Sequence, residues 1–185
     1  HRLYGRAIER GVEIMDLTRF RHRAVEAATY CRENRYNQHV VLLWDLSIHS
    51  GRRRFVVWNI PENREEHAFL ASHGSGSRRS HVPSAYARVS NADGSHLSSV
   101  GRALVAERYV GRYGVAYRLD GLDETNSAMR KRCIVLHGWH YTTSFPVWPL
   151  PTIGSWGCPV LSRRAMGILD DILQREKDVV LWVYK

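Results

Sequence analysis

The sequence predicts a mainly β domain of the α+β kind, with one helix leading in and a second close to the end. Apolar runs of strand length recur between clusters of Gly, Ser, Asn and Pro, whereas the helical 3.6-residue period appears in one stretch near each end. The 185 residues suffice for one domain with a real core, and 44% hydrophobic with 24% charged residues is ordinary for a folded chain. No apolar run approaches ~18–20 residues, and neither an internal repeat nor a disordered linker is visible. Neither a membrane span nor a signal peptide is therefore expected within this sequence. It begins at His1 rather than Met, which reads as a processed or trimmed chain.

The first helix is expected over residues 17–35. Phe20, Ala24, Ala27, Ala28 and Cys31 fall on one face, arginines and glutamates lie opposite, and Asp16 is the candidate N-cap. From His39 the period changes. Val40-Val41-Leu42-Leu43-Trp44 is a continuous apolar run, Ser50-Gly51 turns the chain, and residues 54–60 form a second strand ended by Pro61. A third strand is expected over 66–72, running into the small-residue loop His73-Gly74-Ser75-Gly76-Ser77. Residues 77–100 are polar and call for little regular structure. Short strands follow at 102–106 and 114–119, then a short helix capped by Asp123 or Thr125 and running to Arg132, then a strand over 133–137. Pro146, Pro149 and Pro151 exclude helix from the next loop. Ser162 caps a helix whose apolar face is Ala165, Met166, Leu169, Ile172 and Leu173, and a last strand covers 178–184. Residues 1–38 thus read as a helical extension packed on the core, and 39–185 as the main domain.

A formal charge of +9 and a pI near 9.9 point to an anionic partner or surrounding. Nearly all of the basic residues are arginine, 24 against 3 Lys. They are scattered rather than gathered in one arm, so carboxylate-rich wall peptides suit them as well as nucleic acid does. Cys31, Cys133 and Cys158 allow one disulfide and leave one thiol over, and no C-x-x-C spacing suggests a zinc knuckle.

The chemistry-bearing stretch is Ser155-Trp156-Gly157-Cys158-Pro159, read with His137-Gly138 at the end of the run Cys133-Ile134-Val135-Leu136. A cysteine between glycine and proline, with a histidine delivered by a strand, is the minimum pair for thiol nucleophilic catalysis. Read alone, the same cysteine could be a small buried hydrophobe. His137, His140 and Cys158 could alternatively ligate zinc, although no acidic residue lies close in sequence to serve as base.

The order His before Cys occurs in two cell-wall enzyme groups. Sortases place the cysteine after Thr at a strand end, which S-x-G-C does not match. The chain resembles instead the YkuD-like L,D-transpeptidase catalytic domain, whose signature is H-G, a loop, then S-x-G-C, and in particular a subgroup with proline after the cysteine. The resemblance runs in order through Asp45-Leu46-Ser47 with Ser50, then 72–77, Ser90-Asn91, Gly94-Ser95 and Ser98-Ser99-Val100-Gly101. It continues through Tyr113-Gly114, 118–123, Asn126, Arg132 and 134–138, and spans residues 40–185.

This resemblance implies a β-sandwich or partly open barrel, with Cys158 as nucleophile and His137 as its base. Gly138 would orient the imidazole through its carbonyl, the amides of Gly157 and Cys158 would hold the oxyanion, and Ser155 would support the turn. His73, Gly74 and Trp156 would shape the substrate cleft, with Trp139, Tyr141 and Trp148 as wall and lid. Many members carry a second histidine where this chain has Trp156 and an arginine where it has Val160. The carboxylate-holding role then falls to Arg118, Arg163 or Arg164, with Arg118 preferred. Cys31 and Cys133 would be core residues, able to pair in an oxidising compartment. The implied activity is extracytoplasmic peptidoglycan L,D-transpeptidation through a Cys thioester, with no cofactor, no metal and no nucleic-acid partner. Hydrolysis of the same bonds as a carboxypeptidase or endopeptidase is the alternative, and a non-catalytic basic wall-binding module is the reading from another class.

Overall fold

A computed structural model describes residues 17–79 and 81–185. Helix α1 (Leu17–Glu33) is followed by β1 (Val40–Asp45), β2 (Phe55–Asn59), β3 (Arg64–Phe69), β4 (Gly101–Gly111) and β5 (Gly114–Gly121). After a 3-10 turn at Glu124–Asn126 come β6 (Val135–Trp139), β7 (Val160–Ser162), α2 (Arg163–Arg175) and β8 (Val180–Tyr184). Asp16, the expected N-cap, lies outside the described residues. Among those residues no helix is long and apolar enough to cross a membrane.

The eight strands form one sheet in the order β3-β2-β1-β8-β4-β5-β6-β7, parallel only at β1–β8 and β6–β7. Its two ends meet. Ser72, just after β3, exchanges backbone hydrogen bonds with Val160 of β7 at 2.8 and 3.2 Å. The sheet is therefore curled into a partly open barrel.

The unbroken apolar run of β1 has a direct cause, because both of its faces are buried. Val40, Leu42 and Trp44 enter the barrel core with Phe55, Leu119, Leu136, Leu161 and the apolar face of α2. Val41 and Leu43 pack outward with Val56, Trp58 and Val180 against Phe20, Ala24, Ala27 and Cys31 of α1. Ser162 caps α2, its side chain accepting from the Ala165 amide. Asp170 on α2 binds both Arg108 (2.7 and 2.9 Å) and the Tyr117 hydroxyl (2.6 Å), which fixes the β4–β5 hairpin over the helix.

Several expectations are corrected. The strands expected at 102–106 and 114–119 are one long hairpin closed by Arg112-Tyr113. The third strand begins and ends earlier than 66–72. The helix expected up to Arg132 is only the 3-10 turn plus further turns, ending at Cys133 with φ +55. The Asn126 side chain accepts from the Asp123 amide and donates to the Arg102 carbonyl, which caps the start of this turn and ties it to β4. The sixth strand accordingly starts at Val135, and β7 was not anticipated. Cys133 is exposed while Cys31 is buried on the face of α1 that packs on the sheet, and both are free thiols, so the pairing considered for them is not formed.

Phe20 is fully buried between α1 and the sheet. Phe20→Ala should lower stability by about 3–5 kcal/mol in urea unfolding, with a single transition retained. An unchanged main transition would mean that α1 is an appendage.

Candidate active site

His137 stands on β6 opposite Val160 of β7, two residues beyond Cys158, so the parallel pairing of these strands brings the two side chains to one cleft. The cleft has a volume of about 680 Å³. Its walls include Tyr113, Trp139, Tyr141 and Trp156, with Arg112, Arg132 and Arg163 among them.

The imidazole is oriented by its neighbour. Its Nδ1 lies 3.1 Å from the Gly138 carbonyl. A carbonyl only accepts, so this bond assigns the proton to Nδ1 and leaves Nε2 able to take one. Burial lowers the pKa of His137 below its ordinary value, the Gly138 bond opposing in part. Tyr113, at the tip of the β4–β5 hairpin, stacks on the ring at 4.6 Å and 20°. Gly138 is required by close packing, because a Cβ there would lie 2.9 Å from Met166 Cβ and 3.3 Å from Arg163 Cα at the start of α2.

Cys158 is partly open to the cleft. Its sulfur accepts from the Val135 amide at 3.4 Å, and its thiol faces the Cys133 carbonyl at 3.9 Å. Burial of the sulfur pushes the thiol up to about 11, against smaller opposing effects of the Val135 amide and Arg132. The resting pair is thus a neutral thiol and a neutral imidazole, with no hydrogen bond between them.

The loop that carries the cysteine is pinned from beneath. Ser155 Oγ donates to the Cys158 carbonyl at 2.7 Å and accepts from the Gly157 amide at 3.2 Å. Ser98 Oγ donates to the Gly157 carbonyl and accepts from the Gly74 amide. Gly157 has φ +116, and a Cβ there would lie 2.8 Å from Ile134 Cδ1 and 2.9 Å from the Leu97 carbonyl oxygen. Because the Gly157 amide is committed to Ser155, it is not the free oxyanion donor expected of it. The Cys158 amide donates to no protein group among the described residues.

The histidine expected in the substrate cleft belongs to this support. His73 is 1% exposed; its Nδ1 accepts from Arg54 Nη2 at 2.6 Å and its Nε2 bonds Ser84 Oγ at 3.0 Å. The fully buried Arg54 also donates to the carbonyls of Ala71 and Ile48. Burial first, then the Arg54 charge, lowers the pKa of His73 to about 3. Its carbonyl accepts from the Ser155 amide at 2.8 Å, and Gly74 bridges to Ser155. Neither residue lines the cleft.

Arg118 also lies elsewhere, exposed on β5 with its guanidinium over the Tyr109 ring, while Arg164 is exposed on α2 without lining the cleft. Arg163 does line it. Trp156 reaches the cleft and stacks on His96 at 4.7 Å, whereas Trp148 sits apart under Arg52. Tyr113, Arg112, Arg132 and His96 are the residues that sequence reasoning gave no role. Only Tyr113 and Arg132 carried a signal, as members of the motif series. Among the described residues no group of three or more His, Cys, Asp or Glu side chains could hold a metal.

The model of one family, the L,D-transpeptidase catalytic domain, matches residues 13–184. Among solved structures, the helical cell shape determining protein of Campylobacter jejuni is 13% identical, with a TM-score of 0.50 over 81% of this chain and 49% of that one. An L,D-transpeptidase from Mycobacterium tuberculosis H37Rv is 16% identical (TM-score 0.49; 80% and 58% covered). One from Xylanimonas cellulosilytica is 17% identical (TM-score 0.42; 78% and 60% covered). The chain therefore spans about three fifths or less of the solved chains named here. Comparison with curated proteins gives no match.

His73 is held neutral in the folded state, while the unfolded chain protonates it below about 6.5. The unfolded state then binds the extra proton, so stability should fall as pH drops from 6.5 toward 3, by ~1.4 kcal/mol per pH unit for one proton. Urea midpoints between pH 4.5 and 6.5 should show this slope, and His73→Gln should flatten it.

Proposed function

Because the chain belongs to the L,D-transpeptidase catalytic domain family, we propose that it is an extracytoplasmic enzyme that crosslinks peptidoglycan stem peptides through a Cys158 thioester. The observation that carries this reading is the free Nε2 of His137, fixed by the Gly138 carbonyl in the cleft that Cys158 shares.

His137 Nε2 takes the thiol proton as the sulfur attacks the carbonyl between an L-centred diamino acid and a terminal D-Ala. With a thiol this far above neutrality, deprotonation accompanies attack rather than preceding it. The uncommitted Cys158 amide donates to the developing oxyanion. The C–N bond breaks, the D-Ala amine leaves with the proton from His137, and a thioester remains. An acceptor amine from a neighbouring stem attacks it, gives its proton to His137, and restores the thiol. Tyr113 covers one face of the imidazole and limits access of water to the base. The basic surface suits a carboxylate-rich wall, and Trp156 and Tyr141, each about half exposed, line the way into the cleft.

Mass spectrometry of purified muropeptides tests this directly. The wild type should give crosslinked product with loss of D-Ala, and Cys158→Ala should give none; product from that variant overturns the assignment. His137→Asn should lower kcat by about 10²–10⁴-fold with the melting temperature kept. A variant that unfolds would make His137 structural.

A further inference from the structure

The residues lining the cleft include Arg112, Arg132 and Arg163 and no aspartate or glutamate. Several arginines elsewhere pair with acids: Arg19 with Asp45, Arg102 with Asp123, Arg108 with Asp170, and Arg130 with Asp120 and Glu107. The three cleft arginines form no ion pair among the described residues.

They are not equivalent. Arg132 is half-buried at the floor, and its Nη1 and Nη2 donate to Ser90 O, Ser99 Oγ, Ser95 Oγ and Leu97 O at 2.7–3.1 Å. It is a fixed charge with most of its donors already used. Arg112 and Arg163 are exposed and, among the described residues, have their forks free: Arg112 at the hairpin tip beside Tyr113 (5.7 Å from the ring), Arg163 at the first position of α2, against Gly138. They reach the cleft from the two elements that flank His137.

A cleft lined by one sign of charge concentrates ligands of the other, and a free guanidinium fork matches a carboxylate in geometry as well as charge. A carboxamide loses the charge and presents one acceptor and one donor in place of two acceptors, leaving part of the fork unmatched.

We propose that this cleft selects a donor peptide with a free side-chain carboxylate beside the scissile bond, and that Arg112 and Arg163 discriminate that carboxylate from a carboxamide. The proposal rests on the transpeptidase reading and names the substrate class within it. The arginines act on the bound donor rather than on the sulfur, so the discrimination appears chiefly in KM.

The test uses two synthetic tetrapeptide donors ending in D-Ala, identical except that the side-chain carboxylate is a carboxamide in one. Acylation of Cys158 is followed by intact mass. In the wild type kcat/KM should favour the carboxylate donor about tenfold or more, with the ratio shrinking at high salt. In Arg112→Gln/Arg163→Gln the ratio should fall close to one, at an unchanged melting temperature because both side chains are exposed. Equal rates for the two donors in the wild type, or an undiminished ratio in the double variant, overturn the proposal. If neither donor acylates Cys158 while the thiol is intact, the transpeptidase reading itself fails, an outcome distinct from lost selectivity.

Discussion

The structure turns on one closure. Ser72 binds Val160 across the open edge of the sheet, and two residues on, the backbone of Gly74 bridges to Ser155. The segment carrying Cys158, between a proline-rich stretch and a helix, pairs with β6 over only three positions, and this contact anchors it from the other side. With it, three residues of β7 are enough to hold the cysteine beside the strand that bears the histidine. The closure is itself held by a buried cation. Among the described residues no carboxylate binds Arg54, which spends its donors on Ala71 O, Ile48 O and His73. Removing an acceptor from such a group leaves an uncompensated buried charge, which is costly, so the segment from Ala71 to Gly74 has little freedom to shift.

The same closure decides the chemistry. Walling in the sulfur with Ile134, Val135 and the Cys loop removes water that would stabilise a thiolate, and the Val135 amide and the Arg132 charge oppose this without reversing it. The imidazole is disfavoured as a cation for the same reason. Burial therefore pushes both partners toward their neutral forms, against the ion pair that many cysteine nucleophiles adopt. In the proposed reaction such a site stays quiet until a substrate carbonyl is in place, which protects the thiol from adventitious reaction. Proton transfer in that proposed reaction then occurs during attack, and the Nδ1–Gly138 bond and the Tyr113 stack orient the imidazole for it.

Much of this was legible in the sequence. His137-Gly138 and Ser155 to Cys158 could be read as a pair, and the two end helices followed from their period. The polar motifs between them were recognisable as a series, but their physical role was not. Ser98, Ser90 and Ser95 form a hydrogen-bonded frame that grips the Cys loop and Arg132, which spacing along the chain does not reveal. Other failures share this cause. A three-residue parallel strand such as β7 has no periodicity to detect. His73, beside small residues, reads as a cleft residue until Arg54 is seen to need an acceptor. Arg118 and Tyr117 differ by one position on β5, and strand alternation sends the arginine out over Tyr109 while the tyrosine reaches Asp170. A sandwich or partly open barrel was expected, and the closing contact explains why it stays partly open: isolated bridges just after β3, where a full ladder would complete the wall, join the two edges.

The central claim, a neutral thiol–imidazole pair imposed by burial, is tested by the pH dependence of Cys158 alkylation. Iodoacetamide labelling would be followed by peptide mass spectrometry in a Cys133→Ser background, since Cys133 is exposed and Cys31 buried. The rate constant at Cys158 should rise about tenfold per pH unit through neutrality, because only the thiolate reacts, and level off only as pH approaches about 11. A plateau already reached below pH 7 would show a preformed thiolate and contradict the account.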